Sequence, residues 1–459
     1  MPPSSPLSRR PRFWKSCGKS FPPIFRWSPS IIPGVRFPSR KALCGCNARV
    51  LPVVPRRPSR RLISGPCGAT PRPFRSAPER KGRRGALKSI AAEGGKKSIL
   101  IDATCLGRRK TGNETYVRAL LQAWSRCPES DLEITAVVHP EYQGQEYPAI
   151  RWLRIPNRGF FSRQFVSLPA LLRRERPDLY HATYWTRFWN PYPRTLLLIH
   201  DLSFVSFPQG FRPGEAWFYR TVVRACARTA AHILTVSGFS ARELRDRWGF
   251  GPEKVTAIPE AVEAHFRPAG PDWIPSGERY VLYVGNLHPR KNVAKLIEAC
   301  HRARQGEGGG WKLRIVGQKA WMTGDVAAAA RRCGAESWLE FTGYVGTEEL
   351  VRHYQGALVT CYPSLYEGFG FPVLEAMACG SPVVTSSTTS IPEVAGTAAL
   401  LVDPQSTQQI AEALVRVASQ EKLRGEMRAQ GLAQAARFSW DRTLQETCRL
   451  YRRMTGAGS

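Results

Sequence analysis

Two glutamates, Glu367 and Glu375, frame the segment of this 459-residue chain whose residue types best suit ligand chemistry. Gly368 and Gly370 lie between them and let the backbone approach a ligand closely. Pro372 suits the first residue of a helix, and the free amides at a helix start attract phosphate. A solvated loop glutamate and a second glutamate in the first helical turn, stabilised by the helix dipole, would be the structural alternative. The intervening glycines and proline favour a ligand site.

A second strand-to-helix turn is predicted at residues 283–292, where the sequence reads YVGNLHPRKN. Gly285 permits a tight backbone approach after a buried strand, and Arg290 and Lys291 offer adjacent cations for a diphosphate. An Arg-Lys pair at a helix start is usually only a solvated surface. Its place directly after a buried strand favours the phosphate interpretation here.

Two further polar positions follow predicted strands of the N-terminal half. His200 and Asp201 come at the end of the apolar run 195–199, where the histidine could face a bound substrate. A lone histidine is more often structural, so the residue type alone does not decide its role. Gly112 lies in the loop Lys110–Thr115 before a predicted helix, and we expect this turn to meet the same phosphates.

The sequence offers no pattern that calls for a metal or an organic cofactor. It contains no D-x-D, no H-E-x-x-H and no zinc-ligand spacing. No G-x-G-x-x-G follows a predicted strand, and neither a Walker lysine loop nor G-x-S-x-G occurs. We therefore expect no metal, and Arg290 and Lys291 would have to stabilise a leaving diphosphate as charges fixed in advance.

The basic character of the chain is concentrated in residues 1–97. They hold 23 of the 67 Lys and Arg residues, two of the 36 acidic residues and 16 of the 37 prolines, and so carry +21 of the net charge of +31. We expect disorder there, because the stretch cannot bury enough apolar surface to offset chain entropy. It could be a basic tail for anionic surfaces or nucleic acid, an organelle transit peptide, or the product of a mis-set translation start. The last is favoured, because the length and proline content do not fit a transit peptide, and we expect no specific nucleic-acid partner.

Apolar runs and cysteine spacing also indicate where in the cell the protein is located. No run of 18 apolar residues occurs, so a membrane-spanning helix is not expected. The twelve cysteines show no C-x-x-C pair or regular spacing, which favours free thiols in a reducing cytoplasm. Basic and aromatic residues at Arg158–Phe165 and Tyr184–Trp189 could contact a lipid-linked acceptor or hold the protein peripherally on a membrane, and could equally be core.

Alternating short apolar strands and helices predict an α/β fold with parallel sheets. The pattern fills residues 98–270, breaks at the Pro- and Gly-rich stretch 268–277 and restarts over 271–435. We expect two doubly wound, Rossmann-like domains that face each other across a cleft, with ligands outside the carboxyl ends of the strands. Helical periodicity continues over Gln408–Arg452, and we expect residues 436–459 to form a helix that packs back on the N-terminal domain.

Together these motifs resemble the GT-B glycosyltransferases, specifically family 4 (group 1), over about residues 98–452. Leu234–Ser240 (LTVSGFS) is similar to the family's TVS-x-FS turn, and Gly343–Val345 resembles its loop that meets the nucleobase. The chain departs from the family at two points. Asn286 stands where many relatives carry arginine, and Pro259–Val262 (PEAV) replaces the usual Pro-Asn-Gly-Val.

The resemblance implies a retaining, metal-independent hexosyltransferase that uses a nucleotide diphosphate sugar of the GDP-mannose or UDP-glucose type. The acceptor would be a hydroxyl of a carbohydrate or lipid-linked glycan, as in the synthesis of a cell-envelope polysaccharide. The implied catalytic residues are His200 and Glu367. The implied donor-phosphate ligands are Gly112, Gly285, Arg290, Lys291, Gly368, Phe369 and Gly370. The implied nucleoside ligands are Tyr344, Val345, Leu374 and Glu375, with Glu375 on the ribose.

Two other functions stay open for a chain with this fold. A catalytically silent nucleotide-sugar-binding protein would be expected to lack the catalytic residues, whereas His200, Lys291 and Glu367 are all present. A GT-B epimerase would turn over a nucleotide sugar without any acceptor. The implied transferase reaction is instead a front-face displacement, in which the acceptor hydroxyl attacks from the side that the diphosphate leaves.

Overall fold

The structure, a computed structural model, describes residues 95–107, 112–156, 159, 162–183, 186, 189, 191–270, 277–305, 310–317 and 324–456. The disorder expected for residues 1–97 therefore concerns a stretch that lies outside the described residues except at its last three positions. The first strand begins there, at Lys97 rather than at Ser98. Residues 271–276 of the predicted break also lie outside the described residues.

The N-terminal half contains a parallel sheet of seven strands. They are β1 (Lys97–Asp102), β2 (Leu132–Val138), β3 (Arg151–Arg154), β4 (Leu179–Ala182), β5 (Thr195–Leu198), β6 (His232–Thr235) and β7 (Val255–Ala257). Their order across the sheet is β3-β2-β1-β4-β5-β6-β7, a doubly wound arrangement. Strands β4, β5 and β6 are buried along their whole length, which explains their largely apolar sequences.

Helices connect these strands. They are α1 (Gly112–Arg126), α2 (Leu168–Glu175), α3 (Ser203–Ser206), α4 (Glu215–Thr229) and α5 (Gly238–Trp248). A π-helical turn, Arg163–Ser167, leads directly into α2, and short 3₁₀ turns lie at Pro208–Gly210 and Pro252–Lys254.

The C-terminal half contains a second parallel sheet, of six strands. They are β8 (Tyr280–Val284), β9 (Lys312–Val316), β10 (Leu339–Gly343), β11 (Val359–Tyr362), β12 (Val383–Ser386) and β13 (Leu400–Val402). Their order is β10-β9-β8-β11-β12-β13, so β8 and β11 are neighbours. Because the two strands are parallel, the turns that follow them lie side by side at the same edge of the sheet.

The remaining helices follow the strands of the C-terminal half. They are α6 (Val293–Arg304), α7 (Gly324–Arg332), α8 (Thr347–Gly356), α9 (Phe371–Ala378), α10 (Ile391–Ala395), α11 (Thr407–Ser419), α12 (Glu421–Ala435) and α13 (Trp440–Thr455). Short 3₁₀ turns lie before α6, at Pro289–Lys291, and after α7, at Ala335–Ser337. Within the described residues, no helix is long and apolar enough to cross a membrane.

Helix α13 belongs spatially to the N-terminal half of the chain. The Ser439 side chain accepts a hydrogen bond from the amide of Arg442 and so caps the start of the helix. The helix packs against α1 and β4, where the Tyr451 hydroxyl lies 2.7 Å from Nδ1 of His181. Near its end, Arg452 is ion-paired with two carboxylates, Glu129 and Asp131. The last helix thus connects the two halves by packing back over the first sheet.

Candidate functional site

The loop that follows β11 ends at a glycine that fixes the start of α9. Gly370 has a φ of 118°, in the region that side chains disfavour, and a Cβ there would lie 2.6 Å from Ile391. Helix α9 begins at Phe371, so Pro372 is its second residue rather than its first. Glu375 is the fifth residue, and the expectation of a glutamate in the first helical turn is wrong.

The carboxylate of Glu367, in the same loop, is buried and held by four side chains. Its Oε1 accepts hydrogen bonds from Lys291 Nζ at 2.5 Å, Ser364 Oγ at 2.6 Å and the Tyr362 hydroxyl at 2.9 Å. Its Oε2 accepts from Arg290 Nη1 at 3.0 Å. The turn after β8 and the loop after β11 therefore meet in one ionic cluster, which we call the Glu367 cluster.

Charge and burial act against each other in this cluster. Burial acts to raise the pKa of Glu367, but Lys291 and Arg290 outweigh it and lower that pKa to about 2. Burial, with Arg290 nearby, lowers the pKa of Lys291 to about 8. Near neutral pH, two cations thus surround one carboxylate, and the cluster carries a net positive charge beside the first turn of α9.

The turn after β8 is tight because two glycines face each other. Gly285, with a φ of 146°, donates its amide to the Val316 carbonyl at 2.9 Å. A Cβ on Gly317 would lie only 2.0 Å from the Gly285 carbonyl oxygen. The backbone thus passes close to the end of β9 before it reaches Arg290 and Lys291. Asn286, at the position where many relatives carry arginine, is exposed.

Glu375 is hydrogen-bonded to a tyrosine on a neighbouring helix. Its Oε2 accepts a hydrogen bond of 2.8 Å from the hydroxyl of Tyr354, on α8. Burial raises the pKa of Glu375 to about 7, and Glu263 adds to the effect. Tyr354 is a contact that the sequence analysis missed, because the two positions are 21 residues apart and the sequence carries no signal of their proximity.

The other expected nucleoside ligands lie in contrasting surroundings. Tyr344, after the left-handed Gly343 at the end of β10, is 57% exposed. Val345 is partly buried against the core. Leu374 is fully enclosed in the core, so its side chain faces other apolar groups and not a cleft. Phe369, expected near the phosphates, is also buried, which leaves its backbone as the part that could meet a ligand.

His200 lies directly opposite the Glu367 loop. A Cβ on Gly368 would lie 2.6 Å from the His200 carbonyl oxygen and 2.7 Å from Cβ of Asp201, so only glycine fits there. The hydroxyl of Ser240, at the start of α5, donates to the same carbonyl oxygen at 3.0 Å. The two halves of the chain therefore approach each other at backbone level where His200 and Glu367 lie.

Three residues that the sequence analysis did not single out join the two halves around this point. Tyr366 accepts a hydrogen bond from the Leu202 amide at 3.1 Å and donates one to the buried carboxylate Glu243. Glu393 accepts from the Gly238 amide, at the start of α5, at 2.8 Å. Each contact spans more than 120 positions in sequence, so no local pattern could reveal it.

A fourth contact joins the turn after β8 to the N-terminal half. Nε2 of His288 lies 2.8 Å from the carbonyl oxygen of Gly210, and a Cβ on Gly210 would meet the same imidazole at 2.6 Å. His288, which lies two residues before Arg290, is thus held against the opposite half of the chain. The structure brings Arg290, Lys291 and Glu367 together in one cluster and places His200 against Gly368, whereas the contacts of Gly285 and Gly370 lie within the C-terminal half.

Gly112 is the expected phosphate ligand whose surroundings are least defined. It is the exposed first residue of α1, with nothing within 4 Å of the position that a Cβ would take. Residues 108–111, which precede it in the expected phosphate loop, lie outside the described residues. Among the described residues, no group of three His, Cys, Asp or Glu side chains is placed to hold a metal ion.

Comparison with known proteins identifies the class to which this arrangement belongs. The family model for "Glycosyl transferases group 1" matches residues 272–434, and the model for "Glycosyltransferase Family 4" matches residues 111–266. The first match contains all six strands of the C-terminal sheet, and the second contains β2 to β7 of the N-terminal sheet.

Similar curated proteins include mannosyltransferases of Escherichia coli. The chain is 31% identical over 291 residues to O-antigen chain mannosyltransferase B, a match that covers 61% of this chain and 76% of that protein. It is 28% identical over 263 residues to the serotype-specific mannosyltransferase WbdA, covering 54% of this chain but only 32% of that longer protein.

Similar solved structures share the fold. Sucrose-phosphate synthase from Thermosynechococcus elongatus superposes with a TM-score of 0.66 at 22% identity, over 79% of this chain and 100% of that one. Anabaena HepE in complex with UDP and glucose superposes with a TM-score of 0.60 at 16% identity, over 78% and 99%. With two parallel-sheet units and matches to both family models, the chain belongs to the family 4 (group 1) glycosyltransferases and has the GT-B fold.

Proposed function

We propose that this glycosyltransferase transfers a hexosyl unit from a nucleotide diphosphate sugar to an acceptor hydroxyl and retains the anomeric configuration. The Glu367 cluster is the observation that carries the proposal. Its two cations would hold the diphosphate, and they are fixed in place before charge develops on it. Among the described residues, Oε2 of Glu367 accepts from Arg290 alone, so it retains the capacity to accept from a sugar hydroxyl.

A donor of the GDP-mannose or UDP-glucose type is favoured by the relatives. Several are mannosyltransferases by name, and HepE is described in complex with UDP and glucose. O-antigen chain enzymes among them favour a growing carbohydrate or lipid-linked glycan as the acceptor. In this chain, Glu375 would bind the ribose, and the segment with Tyr344 and Val345 would meet the nucleobase.

The mechanism we propose is front-face displacement. Arg290 and Lys291, with the amides at the start of α9, would stabilise the departing diphosphate. His200 would face the sugar from the opposite half of the chain, at the backbone contact with Gly368. The acceptor hydroxyl would attack from the side that the diphosphate leaves, and a phosphate oxygen would take its proton. No side chain has to form a covalent intermediate in this scheme.

The acceptor side of the site would lie at the inner face of a membrane. Trp217, on α4, is 70% exposed, and the exposed Arg220 follows it at a spacing that places both on one helix face. An exposed aromatic ring beside a cation suits the boundary between lipid headgroups and acyl chains. The expected contact stretches Arg158–Phe165 and Tyr184–Trp189 are only partly within the described residues.

Replacement of Glu367 by glutamine tests the central role of the cluster. Glu367→Gln keeps the size of the side chain but removes the charge that balances Arg290 and Lys291. We expect kcat for hexosyl transfer to fall on the order of 100-fold or more, because a fixed polar contact in the transition state is lost. Binding of the nucleoside diphosphate should be unchanged or tighter, because two cations then face the ligand without their carboxylate.

The measurement compares transfer from GDP-mannose and UDP-glucose with calorimetric binding of GDP and UDP, and NMR coupling constants give the anomeric configuration of the product. Glu340→Gln is the matched control, since Glu340, on β10, pairs with Arg314, on β9, and is not part of the Glu367 cluster. Unchanged turnover of Glu367→Gln would overturn the assigned role. Donor binding without transfer by the unsubstituted enzyme would favour a silent binding protein, and turnover without acceptor an epimerase.

The pH dependence of donor binding tests the titrations of Lys291 and Glu375. As pH rises through about 7, the Glu375 carboxyl ionises and becomes a better acceptor for ribose hydroxyls. As pH rises through about 8, Lys291 loses its proton and with it one of the two charges for the diphosphate. Affinity for the intact nucleotide sugar, measured by calorimetry, should therefore be greatest between these two values.

Two variants separate the two limbs of this profile. Lys291→Arg should abolish the weakening above pH 8, because a guanidinium stays charged throughout. Glu375→Gln should abolish the rise near pH 7. Thermal unfolding of each variant checks that the buried replacement is tolerated. A weakening above pH 8 that persists in folded Lys291→Arg would contradict the assignment.

Removal of divalent cations tests whether the cationic side chains suffice for the diphosphate. We propose that the reaction uses no metal, and we expect the rate of transfer after treatment with EDTA to match that in added Mg²⁺ or Mn²⁺. Arg290→Ala should then lower the rate without creating a metal requirement. A rate that falls to background in EDTA and returns with Mg²⁺ would refute this part of the mechanism.

Sedimentation with vesicles tests the proposed membrane contact. The protein should sediment with vesicles that contain anionic lipids and remain in the supernatant with zwitterionic ones, because the surface of α4 is basic. Trp217→Ala should weaken this binding severalfold, because the exposed ring supplies the apolar contact. Leu401→Ala, an exposed apolar position on β13, is the control and should bind like the unsubstituted protein. Equal loss in both variants, or no anionic preference, would count against the proposal.

A further inference from the structure

The departure from the family pattern at residues 259–262 puts an acid in a fully enclosed position. Glu260 is 1% exposed, yet it carries a carboxyl group that the proposed mechanism does not use. Its Oε1 has no hydrogen-bond partner among the described residues. A buried polar group without a partner is costly, so a partner within reach is expected.

His200 is that partner by distance. Its Nδ1 lies 3.6 Å from Oε1 of Glu260, slightly beyond a hydrogen bond and too close for an intervening water. Catalytic hydrogen bonds are commonly long until the substrate is in place. The segment that carries Glu260 is itself held, because the hydroxyl of Thr443, on α13, donates to the Pro259 carbonyl at 2.8 Å.

The imidazole of His200 is also fixed from its other side. The ring of Tyr116, on α1, lies at right angles to it, with ring centroids 5.9 Å apart. The second imidazole nitrogen, Nε2, is enclosed and has no partner among the described residues. The ring thus has one nitrogen directed at Glu260 and one that remains for a ligand.

Burial decides which of the two groups carries the proton. It lowers the pKa of His200 to about 4, and Asp201 only partly opposes this effect. It raises the pKa of Glu260 well above the ordinary carboxyl range. Tyr116, a titratable side chain that interacts with Glu260, has a pKa that is also raised by burial. Both shifts of the pair favour the arrangement in which the carboxyl group, and not the imidazole, holds the proton.

We propose that Glu260 is a positioning residue that, as a neutral acid, donates a hydrogen bond to Nδ1 of His200 and holds the imidazole in its Nε2–H tautomer. Nε2 is then a hydrogen-bond donor toward the sugar or the leaving group, and not a base. The inference rests on the proposed role of His200 at the reacting sugar. It gives Glu260, which stands where the family pattern Pro-Asn-Gly-Val has asparagine, the role of setting the tautomer of His200.

Two substitutions separate positioning from simple packing. Glu260→Gln keeps the shape and can donate an amide N–H to Nδ1, so it should retain most of the activity. Glu260→Met fills the same space without a donor, and kcat should fall by about tenfold or more with little change in the KM for the donor. Glu253→Met, at an exposed position in the turn before β7, is the control and should behave like the unsubstituted enzyme.

The tautomer itself is measured by ¹⁵N NMR of the full-length protein with labelled histidine, with the His200 signals identified by their loss in His200→Gln. We expect the Nε2–H pattern in the unsubstituted protein and in Glu260→Gln, and loss of that preference in Glu260→Met. A protonated His200 at pH 7, an Nδ1–H tautomer, or a pattern unaffected by Glu260→Met would overturn the inference. This readout needs no activity, so a wrong donor or acceptor leaves it interpretable.

Discussion

The burial of one carboxylate between two cations is the interaction on which the site depends. An ionised Glu367 in an enclosed position would be strongly unfavourable alone, and Arg290 and Lys291 make it tolerable. Those cations come from the turn after β8 and the carboxylate from the loop after β11. They meet because β8 and β11 are adjacent parallel strands, so the sheet order of the C-terminal half determines the electrostatics of the site.

The same loop also sets the distance between the two halves of the chain. Gly368 lets the His200 carbonyl approach to a distance that any side chain would prevent. Around this point the joining contacts are polar: a tyrosine hydroxyl, Tyr366, and a carboxylate, Glu393, each bind a backbone amide of the opposite half. Hydrogen bonds to backbone amides therefore contribute to the contact between the halves at this point.

Local features of the fold and of the candidate site could be predicted from the sequence, whereas contacts between residues distant in sequence could not. Buried strands such as β5 and β8 read directly as apolar runs, and the turn after β8, which carries Gly285 and Lys291, was predicted to be a ligand site. The pairing of Lys291 with Glu367 spans 76 positions and follows only from the strand order. The break between α11 and α12 falls at Gln420, an extended residue with no proline or glycine to announce it. Glu375 lies beyond the first helical turn, contrary to the prediction, because α9 begins directly after Gly370 and not at Pro372.

A lysine with a lowered pKa is a suitable ligand for a diphosphate that must later leave. Burial makes the charged form of Lys291 less stable, and Glu367 only partly restores it. The negative charge of a bound diphosphate acts in the same direction as Glu367 and favours the protonated form further. By linkage, donor binding above pH 8 should then take up a proton, and departure of the nucleoside diphosphate should release it. In the proposed reaction, the charge on Lys291 would therefore be most complete while the diphosphate is bound, and it would stabilise that group during transfer.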